Sequence, residues 1–292
     1  MINEEKFFQY CSDINIAVWE NRISKKDIED WIGNFKPQEK IDVRKMAIDL
    51  LLGLIYYNES EIRYLCNHAF SEFKRQKIKE YLKNGFKIKD AENSFTQSIS
   101  KINFIGKNGD SSAFFAYHLR QVRGLQQGNF INSIDEIKSD ADTLIMIDDF
   151  IGTGDTIIKF NDSLKETGIF QKKPDLKIYY LSLIMTEVGL ENIRSFDPDI
   201  KMIYSELINK EYKVFSEGTH ILPEYSDDER KIAKEVCRKI GDFLETELYD
   251  LGYKKSELLI GLHHNIPNNT LPIIWSNNKD WFPIFPRDKK NY

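Results

Sequence analysis

Two adjacent carboxylates, Asp148 and Asp149, stand between an apolar run and a turn rich in glycine and threonine. The apolar run is Leu144-Ile145-Met146-Ile147, and the turn is Gly152-Thr153-Gly154-Asp155-Thr156. Glycines let a backbone come close to a phosphate, and successive N–H groups form a concavity that binds anions. A helix that starts at the end of such a turn adds its positive dipole end, and Thr153 and Thr156 add hydroxyl donors. Adjacent carboxylates suit the vicinal hydroxyls of a ribose and can support Mg²⁺ through water.

This pattern differs from the common nucleotide-binding motifs. It has no GxxxxGK[ST] sequence and no lysine in the turn, so it is not a P-loop. It has too few glycines for a dinucleotide fingerprint, and its acids precede the turn. The alternative is a strand that ends in a solvated Asp pair followed by an ordinary glycine turn. We expect a site that binds a phosphate and a ribose rather than this alternative, because the strand, the acidic pair, the turn and the helix occur together.

Two further segments are candidates for the same chemistry. The first is the turn Lys107-Asn108-Gly109-Asp110-Ser111, which lies between a predicted strand and a predicted helix and could bind a diphosphate through its N–H groups. The alternative for this turn is a simple N-cap by Asp110 or Ser111. The second is the group His264, Asn268 and Asn269, which could line a pocket for an acceptor. The alternatives for this group are a metal site, which lacks a nearby third ligand, and a packed Asn/Pro turn.

The elements that would position these residues follow from periodicity. Apolar residues recur at helical spacing up to about residue 88, with Ser24 and Ser60 as predicted N-caps and with Trp19 and Trp31 in a predicted helical core. From about residue 95 the pattern alternates between strands and helices. Strands are predicted over 101–106, 143–147, 176–184, 201–205 and 258–263, and helices over 111–125, 156–167, 188–196 and 227–251. This predicts an α/β fold, a doubly wound and mostly parallel sheet after an all-helical N-terminal region, with domains over 1–92 and 93–292.

Composition narrows the class of protein. The chain has 292 residues and a net charge of -5, and it shows no basic stripe, so no intrinsic binding of nucleic acid is expected. The cysteines, Cys11, Cys66 and Cys237, are far apart and predict reduced, packed thiols. The longest apolar run, residues 47–57, is about half of the ~20 residues that cross a bilayer. No secretory signal is evident, so we expect a cytoplasmic protein.

Residues 144–156 resemble the phosphoribosyl-pyrophosphate (PRPP) signature of type I phosphoribosyltransferases. The resemblance implies that Asp148 and Asp149 contact the ribose, that residues 152–156 hold the 5-phosphate, and that residues 107–111 receive the pyrophosphate, with Mg²⁺ as cofactor. Residues 259–275 and the Trp-x-x-Asn-Phe stretch at 31–35 resemble the PRTase-CE group of bacterial conflict systems, some of them beside retrons. That implies an effector of antiphage defence whose helical N-terminal region contacts a protein or nucleoprotein partner.

The sequence departs from the type I pattern at two places. Gly152 stands where 6-oxopurine salvage enzymes carry an Asp base, so purine salvage is not expected. Only residues 126–142 separate the predicted helix from the signature strand, which leaves no room for a long loop that closes over the reacting centre. PRPP transfer, PRPP hydrolysis and a PRPP- or nucleotide-sensing regulator without turnover therefore remain open at this stage.

Overall fold

The computed structural model describes residues 4–106, 110–123 and 125–287. They form two compact units, one of residues 1–59 with 209–292 and one of residues 60–208. The domain division expected from the sequence, 1–92 and 93–292, stays a prediction, since these units are drawn along other residues. All three cysteines are buried free thiols. No helix in the described part of the chain is long and apolar enough to cross a membrane.

The secondary structure alternates from about residue 99 onward. The helices are α1 Glu4–Ala17, α2 Lys25–Gly33, α3 Val43–Leu52, α4 Glu59–Lys83, α5 Ile88–Ser98, α6 Asp110–Arg123, α7 Asp155–Glu166, α8 Ile169–Lys172, α9 Glu187–Phe196, α10 Asp227–Leu244 and α11 Pro272–Trp275. The strands are β1 Ile55–Tyr57, β2 Ile102–Gly106, β3 Phe130–Ile131, β4 Thr143–Ile151, β5 Lys177–Thr186, β6 Lys201–Ile208 and β7 Ile260–Leu262.

The unit of residues 60–208 is built on a five-stranded sheet in the order β3-β2-β4-β5-β6. Every neighbouring pair in this sheet is parallel. Parallel strands need crossover connections, and α6, α7 with α8, and α9 lie in those connections along the chain. The predicted parallel α/β fold with helices before it is therefore confirmed.

Helices cover both faces of this sheet, as two adjacent tyrosines of β5 demonstrate. Successive side chains of a strand point to opposite faces. The Tyr179 ring meets the Phe73 ring of α4 edge-on, with 5.2 Å between ring centroids. The Tyr180 hydroxyl donates to Asn161 Oδ1 of α7 at 3.0 Å. The sheet is thus covered by α4 on one face and by α7 on the other, as in a doubly wound fold.

The half-buried carboxylate of Glu80 links α4 to the amino ends of two strands. Glu80 accepts hydrogen bonds from Lys177 Nζ at 2.9 Å, from the Tyr179 hydroxyl at 2.6 Å and from Lys201 Nζ at 2.8 Å. Burial by itself would raise the pKa of Glu80, but the hydrogen bonds from Lys201, Tyr179 and Lys177 outweigh it and lower the pKa to about 2. Lys177 and Lys201 are the first residues of β5 and β6, so this cluster lies at the edge of the sheet opposite to the carboxyl ends of its strands.

The other unit joins the beginning of the chain to its end. Strands β1 and β7 pair in parallel, with Ile55 opposite Ile260. The predicted core tryptophans are both buried, Trp19 at 1% and Trp31 at 0% exposure. The Trp31 indole N–H donates to the Ile273 carbonyl at 2.7 Å.

Three local predictions need correction. Ser24 caps α2 as predicted, but Ser60 lies inside α4, which already begins at Glu59. Residues 55–57 were predicted as helix and form β1, since α3 ends at Leu52 with Gly53 as its C-cap and Ile-Tyr-Tyr suits a strand. Helix α10 ends at Leu244 instead of residue 251, because the returning chain passes so close that a β-carbon at Gly241 would lie 1.8 Å from the Asp250 carbonyl oxygen.

Candidate functional site

The candidate site lies where the strand order of the large sheet reverses. From β2 the chain crosses to β3 on one side, and the next strand, β4, lies on the other side of β2. β2 and β4 are parallel neighbours from Ile102 opposite Thr143 to Gly106 opposite Ile147. Open α/β sheets bind ligands outside the carboxyl ends of the strands at such a reversal. Asp148 and Asp149 follow directly after Ile147, the last residue of β4 that pairs with β2, so the topology puts them at this crevice.

The two carboxylates differ in exposure. Asp149 is 3% exposed, whereas Asp148 is half-buried and pairs along the strand with Ser182 of β5. Neighbouring residues of a strand direct their side chains to opposite faces. Asp148 is therefore the more accessible of the pair for a ligand at the sheet edge.

The turn after β4 ends at a glycine that the backbone requires. Gly154 has φ 81°, in the left-handed region, and it is the N-cap of α7 without a side-chain cap. Its carbonyl accepts the first helical hydrogen bond, from Ile158 N–H at 3.1 Å. Asp155 follows as the first residue of α7, where a carboxylate interacts favourably with the helix dipole. Both Asp155 and Thr156 are half-buried.

Helix α9 holds the turn from one side. The Thr186 hydroxyl donates to the Gly152 carbonyl, and the Asn192 side-chain amide donates to the Thr153 carbonyl at 3.0 Å. In a trans peptide the C=O of one residue and the N–H of the next point in opposite directions. The N–H groups of Thr153 and Gly154 therefore point away from α9. With the N–H groups of the first turn of α7, they form a set of donors suited to an anion.

Sequence reasoning missed Thr186, Gly189 and Asn192. Thr186 precedes a predicted helix, which is a signal for an N-cap, and it does cap α9 by accepting from Gly189 N–H at 3.0 Å. Its second contact, with Gly152, joins residues that are 34 apart in the chain. No spacing rule for a single sequence reveals such a tertiary contact.

The predicted diphosphate turn falls largely outside the described residues. Lys107, Asn108 and Gly109 are not described, and Asp110 and Ser111 lie at the start of α6, which begins at Asp110. The turn does follow β2, the strand beside β4. Its role with a diphosphate stays a prediction.

The residues predicted to line an acceptor pocket belong to the unit of residues 1–59 and 209–292. Asn269 is buried, and its amide donates to the Ser256 hydroxyl at 2.7 Å. The Asn268 carbonyl accepts from Tyr253 N–H at 2.7 Å. His264 follows β7, next to His263, whose Nδ1 contacts the Glu20 carboxylate. An acceptor pocket at His264, Asn268 and Asn269 stays a prediction.

The acidic pair fits magnesium better than a metal that needs a protein cage. Across residues 4–106, 110–123 and 125–287 there is no group of three or more His, Cys, Asp or Glu side chains that could hold a metal ion. Mg²⁺ is usually bound by one or two carboxylates together with phosphate oxygens and water. Asp148 and Asp149 provide that number of carboxylates.

Comparison with known protein families identifies the family of this chain. The sequence model of the PRTase-CE family matches residues 28–287, which include β2, β4 and the turn to α7. The chain belongs to the PRTase-CE family. The resemblance to the PRTase-CE group predicted from residues 31–35 and 259–275 is thus confirmed. The residues that match the PRTase-CE model lie in both compact units.

Three solved structures, two of them phosphoribosyltransferases by name, are similar to part of the PRTase-CE chain. An orotate phosphoribosyltransferase from Aeropyrum pernix has 13% identity and a TM-score of 0.26, over 40% of this chain and 72% of its own. A xanthine-guanine-hypoxanthine phosphoribosyltransferase from Helicobacter pylori has 13% identity and a TM-score of 0.27, over 53% and 84%. The AQ2163 protein from Aquifex aeolicus has 14% identity and a TM-score of 0.27, over 38% of this chain and only 56% of its own. No curated protein matches the chain.

Proposed function

We propose that this PRTase-CE protein binds PRPP at the carboxyl end of β4 and transfers or hydrolyses its phosphoribosyl group. One observation carries the proposal: the Gly152 and Thr153 carbonyls are bonded to the β5–α9 segment, which turns the N–H groups of Thr153 and Gly154 away from it. This turn stands near the reversal of the strand order, two residues after Asp148 and Asp149. A 5-phosphate and a ribose need these two kinds of partner side by side.

Each part of the ligand has a proposed partner. The turn amides, with the Thr153 and Thr156 hydroxyls, bind the 5-phosphate, and Asp148 with Asp149 accepts hydrogen bonds from the ribose hydroxyls. The turn of residues 107–111 receives the pyrophosphate as the C1–O bond breaks and an acceptor oxygen or nitrogen bonds to C1. Most of the rate enhancement comes from positioning and from stabilised charge. Asp148 and Asp149 would hold Mg²⁺ through water or the ribose, and the ion would neutralise charge on the leaving pyrophosphate.

Calorimetric titration with PRPP and Mg²⁺ tests the site. The wild-type chain should bind PRPP, and an Asp148→Asn/Asp149→Asn variant should lose at least about tenfold in affinity, because charge-assisted hydrogen bonds to the ribose are removed. The matched control is Asp140→Asn/Asp175→Asn, which removes two exposed carboxylates of the same unit. Equal affinity in wild type and the Asp148/Asp149 variant would rule out the proposed ribose contact.

A binding protein without turnover is the second candidate, and the segment before β4 favours it. Residues 127–136 contain two short 3₁₀ turns and the edge strand β3. The buried Asn129 fixes this segment by donating to the carbonyls of Ile99 at 2.9 Å and Ile102 at 2.8 Å. A segment used in this way does not serve as a long closing loop, and weaker exclusion of water suits sensing.

Pyrophosphate release separates the two candidates. Steady release from PRPP that stops in the Asp148→Asn/Asp149→Asn variant identifies an enzyme. PRPP binding without release over hours identifies a sensor. Transfer requires an acceptor, so the assay is run with and without a cell extract depleted of small molecules, and hydrolysis is read from the sample without extract.

The biological setting is proposed from the family. As a PRTase-CE protein the chain would act in the bacterial cytoplasm as an effector of antiphage defence, with its N-terminal helices contacting a protein or retron nucleoprotein. Phage plating on cells that carry the native operon tests this role. Protection that is unchanged by Asp148→Asn/Asp149→Asn would separate defence from the proposed site.

A further inference from the structure

We propose that Thr186 and Asn192 of the β5–α9 segment are positioning residues that set the direction of the phosphate-binding amides. This inference rests on the proposed binding of a 5-phosphate at residues 152–156. Thr186, Gly189 and Asn192 are called the α9 clamp below. None of them needs to touch the ligand, because they act on the opposite side of the two peptide groups that would.

The Thr186 hydroxyl connects the helix start to the turn. It accepts from the Gly189 N–H at 3.0 Å, so its own hydrogen is available to the Gly152 carbonyl, which it contacts. The hydrogen bond from Gly189 N–H therefore orients the Thr186 hydroxyl toward the turn. Serine preserves both bonds, and valine, which has nearly the same shape as threonine, preserves neither.

Asn192 fixes the next peptide group. Its side-chain amide donates to the Thr153 carbonyl at 3.0 Å. That carbonyl belongs to the same planar group as the Gly154 N–H, so a rotation of this group moves the N–H by the same angle. With Thr186 on the preceding group, two consecutive amides are held toward the same side.

The glycines of both segments allow this close contact. A β-carbon at Gly189 would lie 2.4 Å from the Gly152 oxygen, and one at Gly154 would lie 2.9 Å from the Gly189 oxygen. The turn and the start of α9 thus meet backbone to backbone. Side-chain bonds from Thr186 and Asn192 then decide which way the peptide planes face.

Asn192→Ala is the decisive variant, because Asn192 is exposed on a helix and alanine is a better helix former. A purely structural role of the Asn192 contact predicts lower thermal stability together with unchanged binding. The positioning role predicts unchanged or higher stability together with a loss of about three- to tenfold in affinity for ribose 5-phosphate. Glu191→Ala, at the exposed neighbouring position, is the matched control. Thr186→Val should lose affinity by a similar factor, and Thr186→Ser should restore it.

Selective ¹⁵N-glycine labelling adds a readout that needs no ligand. The chain has 15 glycines, so the spectrum is small enough to assign Gly154 by substitution. A hydrogen bond to the Thr153 carbonyl polarises the amide of Gly154, so its resonance should shift in Asn192→Ala but not in Glu191→Ala. For the hydroxyl of Thr186, the corresponding signal is the amide of Thr153, followed by ¹⁵N-threonine labelling in Thr186→Val and Thr186→Ser.

The two readouts distinguish the ways in which the proposals can fail. An unshifted Gly154 resonance in Asn192→Ala overturns the α9 clamp whatever the ligand. A shifted resonance with wild-type affinity for ribose 5-phosphate overturns the positioning role and leaves the proposed function standing. A shifted resonance in Asn192→Ala, together with a wild-type chain that binds neither ribose 5-phosphate nor PRPP, overturns the proposed function, and with it the assignment of the amides to a phosphate.

Discussion

A β-carbon on Gly189 would stand 2.4 Å from the carbonyl oxygen of Gly152, so no side chain fits between α9 and the turn after β4. The same β-carbon would lie 3.3 Å from the Ile151 oxygen. Both neighbours are backbone atoms, which cannot move aside as the end of a flexible side chain can. The position of the turn is therefore coupled directly to the start of α9.

Gly189→Ala should displace the turn and weaken ligand binding. Relief of the contact requires a backbone shift, for which we expect a loss of about 1–3 kcal/mol in the free energy of unfolding. The displaced amides should lower the affinity for PRPP roughly tenfold or more. Gly128→Ala is the control in the same unit, since nothing lies within 4 Å of a β-carbon there. Comparable affinities for Gly189→Ala and wild type would contradict the coupling.

Gly154→Ala should be more destabilising than Gly85→Ala, although both glycines have left-handed φ angles. Gly154 has φ 81° and Gly85 has φ 87°, so the conformational penalty, about 1–2 kcal/mol, is alike at both. Only at Gly154 would the β-carbon meet other atoms, the Gly189 oxygen and Ile193 Cγ1, each at 2.9 Å. Urea unfolding of the two variants measures the difference. Equal losses of stability would mean that the turn moves away from α9 without strain.

Glu80→Gln should destabilise the sheet unit at neutral pH and remove part of its sensitivity to acid. The pKa of Glu80 is lowered in the folded chain from 4.5 to about 2, so its stabilisation is present above pH 4.5 and is lost as the pH falls toward 2. Since its lysine partners are partly exposed, we expect a loss of about 1–2 kcal/mol at pH 7.

Urea unfolding at several pH values, followed by circular dichroism, measures this effect. The gap between wild type and Glu80→Gln should narrow from pH 4.5 downward. Glu166→Gln, at an exposed position on α7, is the control and should follow the wild-type curve. A gap that stays constant down to pH 2 would show that the Glu80 charge contributes nothing to folding.

Trp31→Phe should destabilise the unit that joins the two ends of the chain. The substitution removes the hydrogen bond to the Ile273 carbonyl and leaves unfilled volume at a side chain with 0% exposure. We expect a loss of about 2–3 kcal/mol. Trp281→Phe is the comparison: its indole donates to the same carbonyl at 3.0 Å but is only half-buried, so its loss should be smaller.

Tryptophan fluorescence gives a selective measurement for this prediction. The chain has four tryptophans, Trp19, Trp31, Trp275 and Trp281, and all four lie in the unit of residues 1–59 and 209–292. A fluorescence transition therefore follows that unit, whereas circular dichroism follows both. A larger loss in Trp281→Phe than in Trp31→Phe would contradict the roles assigned to the two indoles.

Local signals in the sequence were sufficient for most of the sheet. The apolar run before Asp148 predicted a buried parallel strand, and β4 contains it; the glycine turn and the helix after it are also present. These features depend on neighbours in the chain, where strand and helix preferences act directly. The order of the strands, and with it the reversal between β2 and β4, depends on long-range pairing that periodicity does not encode.

The errors occurred where tertiary contacts outweigh local preference. Residues 55–57 continue a helical apolar pattern but form a strand, because β7 offers them a partner about 200 residues later in the chain. The pattern of α10 continues to Leu248 and Leu251, yet the helix stops at Leu244, where the chain turns back across Gly241. The α9 clamp was missed for the same reason, since its partners lie more than 30 residues before it.

The pairing of β1 with β7 imposes an order on folding during synthesis. Residues 55–57 leave the ribosome about 200 residues before their partners at 260–262. Residues 60–208, which form one continuous stretch, can complete their sheet in the meantime. Until β7 and the residues after it are made, Trp19 and Trp31 lack the contacts that they make with Phe285 and Ile273. The unit that contains β1 can complete its fold only after β7 has been synthesised.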